Sequence, residues 1–165
     1  MSREEVVAVF MERAALAAAG AAQVADDAAL RDAVALLVHE GKPVYCPALT
    51  ALEQAAVLGL ANRVENYAVA DATVEEVLAG IAETGSIVCA SVAGRAVQAS
   101  LLPSHHIAIV PSWKIYATLE EFFASLTSPP TNVAIITGPS RTADIELTLA
   151  IGVHGPERLD IIVTP

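Results

Sequence analysis

Helical and extended hydrophobic patterns alternate along this chain almost from end to end. Residues 5–19 read as a helix, with Ser2 and Glu5 spaced for a capping box and Gly20 as the stop. A short extended piece at 22–25 leads into a second helix over 27–40 that ends at Gly41. A strand follows at 43–46, then a helix from Leu49 or Thr50 to Ala61.

Two later segments share one design. Thr73-Val74-Glu75-Glu76 and Thr118-Leu119-Glu120-Glu121 each place a threonine three residues before a glutamate. Behind them, Val74, Val77, Leu78 and Ile81, and again Leu119, Phe122, Phe123 and Leu126, recur at helical spacing. A threonine oxygen can accept from the first turn while the glutamate reaches back to the cap, so both segments are expected to start helices.

Short β-branched runs at 86–91, 106–110, 132–137 and 159–163 are bounded by Gly or Pro. Several are apolar at consecutive positions, which suits strands covered on both faces. Their alternation with helices predicts an α/β chain of three layers, α/β/α, around a mainly parallel sheet with right-handed crossovers. Residues 143–149 alternate apolar and polar as a strand would. A crossover helix fits the architecture better, and a helix is expected there. The composition does not break, and 165 residues suit one domain over 1–165.

Charge narrows the partners. The chain carries 19 acidic and 9 basic residues, a net charge of −10. Nucleic-acid binding draws most of its affinity from neutralised phosphates and needs a basic footprint. Lysine occurs only at Lys42 and Lys114, so neither nucleic acid nor an anionic membrane surface is an expected partner. Mean hydropathy is +0.55, yet the longest uncharged stretches, 96–113 and 122–140, are broken by Pro, His and Ser and are no spanning helix. The start of the chain lacks a signal-peptide core, and a cytoplasmic location is expected. Cys46 and Cys89 form no C-x-x-C pair. They read as buried thiols, with neither metal nor iron–sulfur cluster held by this chain.

Candidate chemistry concentrates near Gly138-Pro139-Ser140-Arg141-Thr142, which joins the 132–137 strand to the expected helix. Free N–H groups at a helix start, two hydroxyls and an arginine together favour an anion. The alternative is that Thr142 only caps the helix, with Asp144 complementing its dipole. Beyond that helix, His154 between Gly152 and Gly155 is either a ligand-facing acid or base, or a histidine settled by the dipole. His105 and His106 are neighbours at a strand start, so at most one faces a given site. A metal shared with Asp144 or Glu146 lacks supporting spacing.

At these residues a resemblance becomes specific. The run I-T-G-P-S-R-T-A-D-I-E-L-T-L-A-I-G-V-H-G-P, from Ile136 to Pro156, resembles the signature of the lactate utilization protein C group in the LUD-domain family. Residues 81–86, 100–103 and 106–110 match as well, so the likeness covers about the last ninety residues. The first seventy carry no distinctive motif, and the chain begins later than typical members, which implies a missing N-terminal piece. The resemblance implies a fold similar to the NagB/RpiA/CoA-transferase-like superfamily. It also implies a role in oxidising L-lactate to pyruvate beside a cysteine-rich iron–sulfur protein and a second LUD-domain protein, with the clusters residing in those partners.

The same superfamily contains CoA transferases with a nucleophilic glutamate, which draws notice to Glu83-Thr84-Gly85-Ser86. This tetrapeptide, read as a helix-to-strand turn, sets a carboxylate beside two hydroxyls. Glu83 is equally explained as a solvated last-turn residue. The resulting candidate ligand site comprises Gly138, Pro139, Ser140, Arg141, Thr142, Asp144, Glu146 and His154 with Glu83, Thr84, Gly85 and Ser86. Three functions compete: a lactate-oxidation component, a stand-alone enzyme for a phosphorylated, CoA-linked or carboxylate substrate at the Gly138 turn, and a scaffold.

Overall fold

The computed structural model describes residues 1–142, 150–151 and 155–165. Helix α1 (Arg3–Leu16) begins with the expected reciprocal box between Ser2 and Glu5. Strand β1 (Gly20–Gln23), helix α2 (Asp27–Leu37), strand β2 (Val44–Tyr45), helix α3 (Ala51–Ala56) and strand β3 (Arg63–Val64) follow. The next stretch is extended: β4 (Ala72–Glu76), β5 (Ala79–Ile81) and β6 (Ser86–Ala90). A short helix α4 (Gln98–Leu101), strands β7 (His105–Pro111) and β8 (Ile115–Tyr116), helix α5 (Leu119–Ser125) and strand β9 (Val133–Ile136) lead to the last part. There β10 (Arg141–Thr142) pairs antiparallel with β11 (Ala150–Ile151), and β12 (Arg158–Thr164) closes the chain.

Six strands form one sheet in the order β1-β12-β7-β4-β2-β3, and every pair in it is parallel. Its central strands alternate between two cores. Ala108, Val110, Ile161 and Val163 pack with Val6, Val7, Phe10 and Ala14 of α1 on one face. Ile107, Ile109 and Ile162 pack with Leu30 and Val34 of α2 and Ala56 of α3 on the other. Strands with both faces covered read as continuous apolar runs, which is why 106–110 and 159–163 are legible. The three-layer α/β/α arrangement with a mainly parallel sheet is therefore present.

A second sheet, order β8-β5-β6-β9, is mixed: β5–β6 and β6–β9 run antiparallel and β5–β8 parallel. Ile87 and Cys89 of β6 belong to the α1 core, whereas Ile81 and Val88 pack on Phe122 of α5. The strands expected at 86–91 and 132–137 exist but join this sheet, not the parallel one.

The expected helix at Thr73 is absent: its residues form β4 and β5. All five residues of β4 are buried, and the Thr73 hydroxyl donates to the Ala99 carbonyl at 2.7 Å instead of capping a helix. Burial on both faces outweighs a local capping pattern worth only about 1 kcal/mol. The twin motif behaves as expected, since Thr118 accepts from the Glu121 N–H at 3.1 Å and caps α5. Helix ends shift too. After α1, Ala18 takes a left-handed turn (φ 67°) and Gly20 already lies in β1. Helix α2 stops at an extended Val38, and α3 ends at Ala56. The helix expected over 143–149 lies outside the described residues. Arg141 and Thr142, just before it, form strand β10. Among the described residues no helix is long and apolar enough to cross a membrane.

Candidate functional site

In open parallel sheets, ligands ordinarily bind beyond the carboxyl ends of the strands. Here that edge carries a buried ionic cluster drawn from four segments. Strand β4 ends on Glu75 and Glu76, Lys114 follows the end of β7, and Glu53 of α3 follows β2. Arg95 comes from the loop before α4. All of these but Glu53 border a cleft of about 320 Å³ lined by Thr50, Glu75, Glu76, Cys89, Arg95 and Lys114, among others.

Glu53 is the hub. It is fully buried, and its Oε2 accepts from the backbone N–H groups of Leu49 at 2.8 Å and Thr50 at 3.2 Å. Its Oε1 accepts from the Glu76 N–H at 2.8 Å and from Arg95 Nη1 at 2.5 Å. The α3 capping box thus holds one side of the carboxylate while the sheet edge and an arginine hold the other. Lys114 Nζ lies 2.6 Å from Glu76 Oε1, and Arg95 Nη1 lies 3.8 Å from Glu75 Oε2. Three carboxylates therefore face two cations. Burial disfavours the charge on Glu75, but His106, Ser100 and Arg95 outweigh it and hold its carboxyl below the ordinary carboxylate range.

Deeper between the two sheets, Glu75, Cys89 and His106 bring an oxygen, a sulfur and a nitrogen within 4.8 Å of one another. Ser100 Oγ donates to Glu75 Oε1. His106 Nε2 is 3.0 Å from that oxygen, an ion-pair distance. Its geometry forms no hydrogen bond, and both ring nitrogens are buried without a hydrogen-bond partner among the described residues. Burial pushes the Cys89 thiol strongly up and the Cys46 thiol up to about 11, so both are protonated at neutral pH. The neighbouring His105 points elsewhere, with Nε2 2.7 Å from Asp160 Oδ2. The two histidines thus serve different environments, as strand alternation requires.

The residues singled out from sequence gather elsewhere. Thr137, Gly138, Pro139, Ser140, Gly155 and Pro156 line a separate cleft of about 570 Å³ beside the end of α1. Gly138 has φ 68°, and a Cβ there would lie 2.0 Å from the Ala17 carbonyl oxygen. The Ser140 N–H donates to the Pro156 carbonyl at 2.8 Å. Arg141 and Thr142 continue as β10, and the helix start expected after them lies outside the described residues. Asp144, Glu146 and His154 lie outside the described residues.

The 83–86 turn is a hairpin link between β5 and β6, not a helix-to-strand turn. Gly85 (φ 67°) packs against the Ala14 backbone. Thr84 Oγ1 and Ser86 Oγ are 2.7 Å apart, and Ser86 Oγ is 2.7 Å from Thr137 Oγ1. The two turns meet through that hydroxyl row, although residues 83–86 do not line the 570 Å³ cleft. Glu83 Oε1 accepts from the Leu119 N–H at 2.8 Å, which ties it to the start of α5.

Sequence reasoning missed Glu53, Glu75, Glu76, Arg95 and Lys114. One signal was available: two adjacent glutamates inside the β-branched run A-T-V-E-E-V are costly in a buried strand unless paired. The other partners lie too far away in sequence to be associated by spacing.

Known proteins supply the context for this geometry. A crystal structure of a DUF162 family protein from Deinococcus radiodurans superposes with a TM-score of 0.78 at 24% identity, covering 100% of this chain and 99% of that one. That likeness shows the fold. Proteins named lactate utilization protein C are similar in sequence. The one from an Exiguobacterium strain is 37% identical over 92 residues, 52% of this chain and 40% of its own length. The one from Bacillus subtilis is 37% identical over 90 residues, 50% of this chain and 38% of its own length. The matched region thus spans about two-fifths of these relatives. The LUD domain itself matches residues 61–164, from β3 to the end of β12, and the chain belongs to the LUD-domain family.

Proposed function

We propose that this chain is a cytoplasmic component of a lactate-utilization system that oxidises L-lactate to pyruvate together with iron–sulfur partner proteins. The observation that carries the reading is the LUD domain over residues 61–164, shared with relatives named for lactate utilization. Cysteine placement supports the division of labour. Iron–sulfur clusters ordinarily take four thiolates, whereas Cys46 and Cys89 belong to different core clusters. The electron carriers then reside in the partners.

The test is growth on L-lactate as sole carbon source. Deletion of the gene should abolish growth, re-expression should restore it, and the tagged chain should co-purify with iron-containing proteins. Unimpaired growth of the deletion strain, with no iron-containing partner retained, would overturn the reading.

A second reading rests on the Thr84–Ser86–Thr137 hydroxyl row beside the cleft at Gly138 and Ser140. In it the chain is a stand-alone enzyme for a phosphorylated, CoA-linked or carboxylate substrate. Inorganic phosphate or CoA should then raise the unfolding temperature, and Arg141→Ala should remove the shift. A parent protein indifferent to both probes refutes this reading.

A further inference from the structure

We propose that Glu75, Cys89 and His106 form a binding site for one divalent transition-metal ion of the zinc class, with an open coordination position facing the carboxyl-edge cleft. The three residues stand on three different strands, β4, β6 and β7, where the two sheets face each other. Their ligating atoms lie within 4.8 Å of one another. Tetrahedral zinc, with bonds of about 2.0–2.3 Å, sets its ligands roughly 3.5 Å apart. Rotation of side chains by about an ångström closes the gap.

The donor set itself selects the ion. An imidazole nitrogen, a thiolate sulfur and a carboxylate oxygen suit zinc and its neighbours, whereas calcium and magnesium take oxygen ligands. Three protein ligands with one free position is also the coordination of a reactive site and not of a closed structural one.

A second observation is independent of the clustering. His106 is 1% exposed, and neither ring nitrogen has a hydrogen-bond partner among the described residues. Buried polar groups are nearly always paired, and an orphaned one calls for an explanation. Its Nε2 sits 3.0 Å from Glu75 Oε1 without forming a hydrogen bond. A metal between them supplies the missing partner.

The surroundings agree. Ser100 Oγ donates to Glu75 Oε1, as an outer-shell group does when it orients a ligating carboxylate. Glu53, Glu75 and Glu76 against Arg95 and Lys114 leave one negative charge in excess. A divalent ion that displaces the Cys89 proton to solvent adds one positive charge, and the buried cluster becomes neutral. Glu75 and Cys89 both line the 320 Å³ cleft, which provides the access route that a loadable site requires.

Cobalt(II) is the probe. The full chain, stripped with chelator and dialysed, is titrated with Co²⁺ and followed by absorbance and by thermal unfolding. Binding of one Co²⁺ per chain is expected, with a thiolate-to-cobalt charge-transfer band and a rise in Tm. Cys46→Ala should keep band and stoichiometry, because Cys89 is then the sole thiol. Cys89→Ala should lose the band, and His106→Gln should weaken binding at least about tenfold. Folded parent protein that does not saturate with Co²⁺ would overturn the site. So would binding without a thiolate band, or a band that survives in Cys89→Ala. Should Cys89→Ala not fold, Cys46→Ala decides alone: a band supports the site and its absence refutes it. The measurement concerns the isolated chain, so it can fail while the lactate phenotype stands, and the reverse.

Discussion

Arg95→Ala should destabilise the protein by about 3 kcal/mol, and the estimate follows from what Glu53 keeps. Removing one partner of a buried ion pair ordinarily costs about 3–5 kcal/mol, because the other charge is stranded. Glu53 is fully buried, and Arg95 is the one cation among the described residues in ion-pair contact with it, at 2.5 Å. The carboxylate would nevertheless retain three backbone donors, from Leu49, Thr50 and Glu76. Such donors satisfy the carboxylate oxygens even without a cation. The arginine is also partly open to water, at 13% exposure, so the cavity left behind can hydrate. Both considerations move the cost to the lower end of the range. With a urea m-value of about 2 kcal/mol/M, the midpoint should fall by roughly 1.5 M. Adding Glu53→Gln removes the stranded charge, so the double variant should be less destabilised than the two single losses combined. A coupling of at least about 1 kcal/mol is expected for groups in contact. A midpoint within about 0.2 M of the parent for Arg95→Ala, or strict additivity in the cycle, would refute the cluster as described.

Gly138→Ala should cost about 2–4 kcal/mol, since the new methyl meets the Ala17 carbonyl in a left-handed backbone conformation; an unchanged Tm would contradict that packing. Acid should destabilise the fold early. Glu75 and Asp160 are held below their ordinary values, burial opposing and His106, Ser100 and Arg95, or His105 and Arg158, prevailing. A depressed folded-state pKa gives stability that is present above the unfolded value and lost as pH falls through the folded one. The urea midpoint should therefore drop as pH is lowered from about 5 towards about 3, and a flat profile there would contradict the assignment. Thr118→Ala should cost about 1 kcal/mol as the loss of a cap. Thr73→Val, which keeps the strand shape and removes one buried hydroxyl, should cost about as much without lowering helix content in circular dichroism. Loss of helical signal in Thr73→Val would mean that the motif caps a helix after all.

Those two threonines show how far local pattern reaches. Thr118 and Thr73 sit in almost the same words, T-L-E-E and T-V-E-E, and one caps a helix while the other is a central strand. The difference is set by residues far away: β4 is flanked by β7 and β2 and buried on both faces. Where the sequence places β-branched residues consecutively, as at 106–110 and 159–163, burial itself is written locally and the strands are readable. The mixed second sheet was not readable, because β9 reaches β6 by antiparallel pairing across more than forty residues, and nothing local marks that partner. At the Gly138 turn the glycine was legible, whereas the contact of its neighbour Thr137 with Ser86, fifty-one residues away in the chain, was not. The pairing of Arg141 and Thr142 with Ala150 and Ile151 was not legible either, since residues 138–142 carry the pattern of a turn.

The ionic cluster was hidden for a related reason, and its position says what it is for. In a chain with ten negative charges in excess, two of the few cations, Arg95 and Lys114, are committed to one cleft at the carboxyl edge of the sheet. A buried ion pair is weak support for stability, since well-packed apolar residues of the same volume often serve as well or better. Apolar side chains would satisfy β4 as they satisfy the ends of β7 beside it and β12 beyond. Glutamates at the last two positions of β4 therefore make sense as features of a site, with Arg95 and Lys114 pairing with them and holding them in place. The two sheets give that site its rigidity: β4 and β7 lie side by side in one and β6 comes from the other, so a ligand arriving at the carboxyl edge meets groups already positioned.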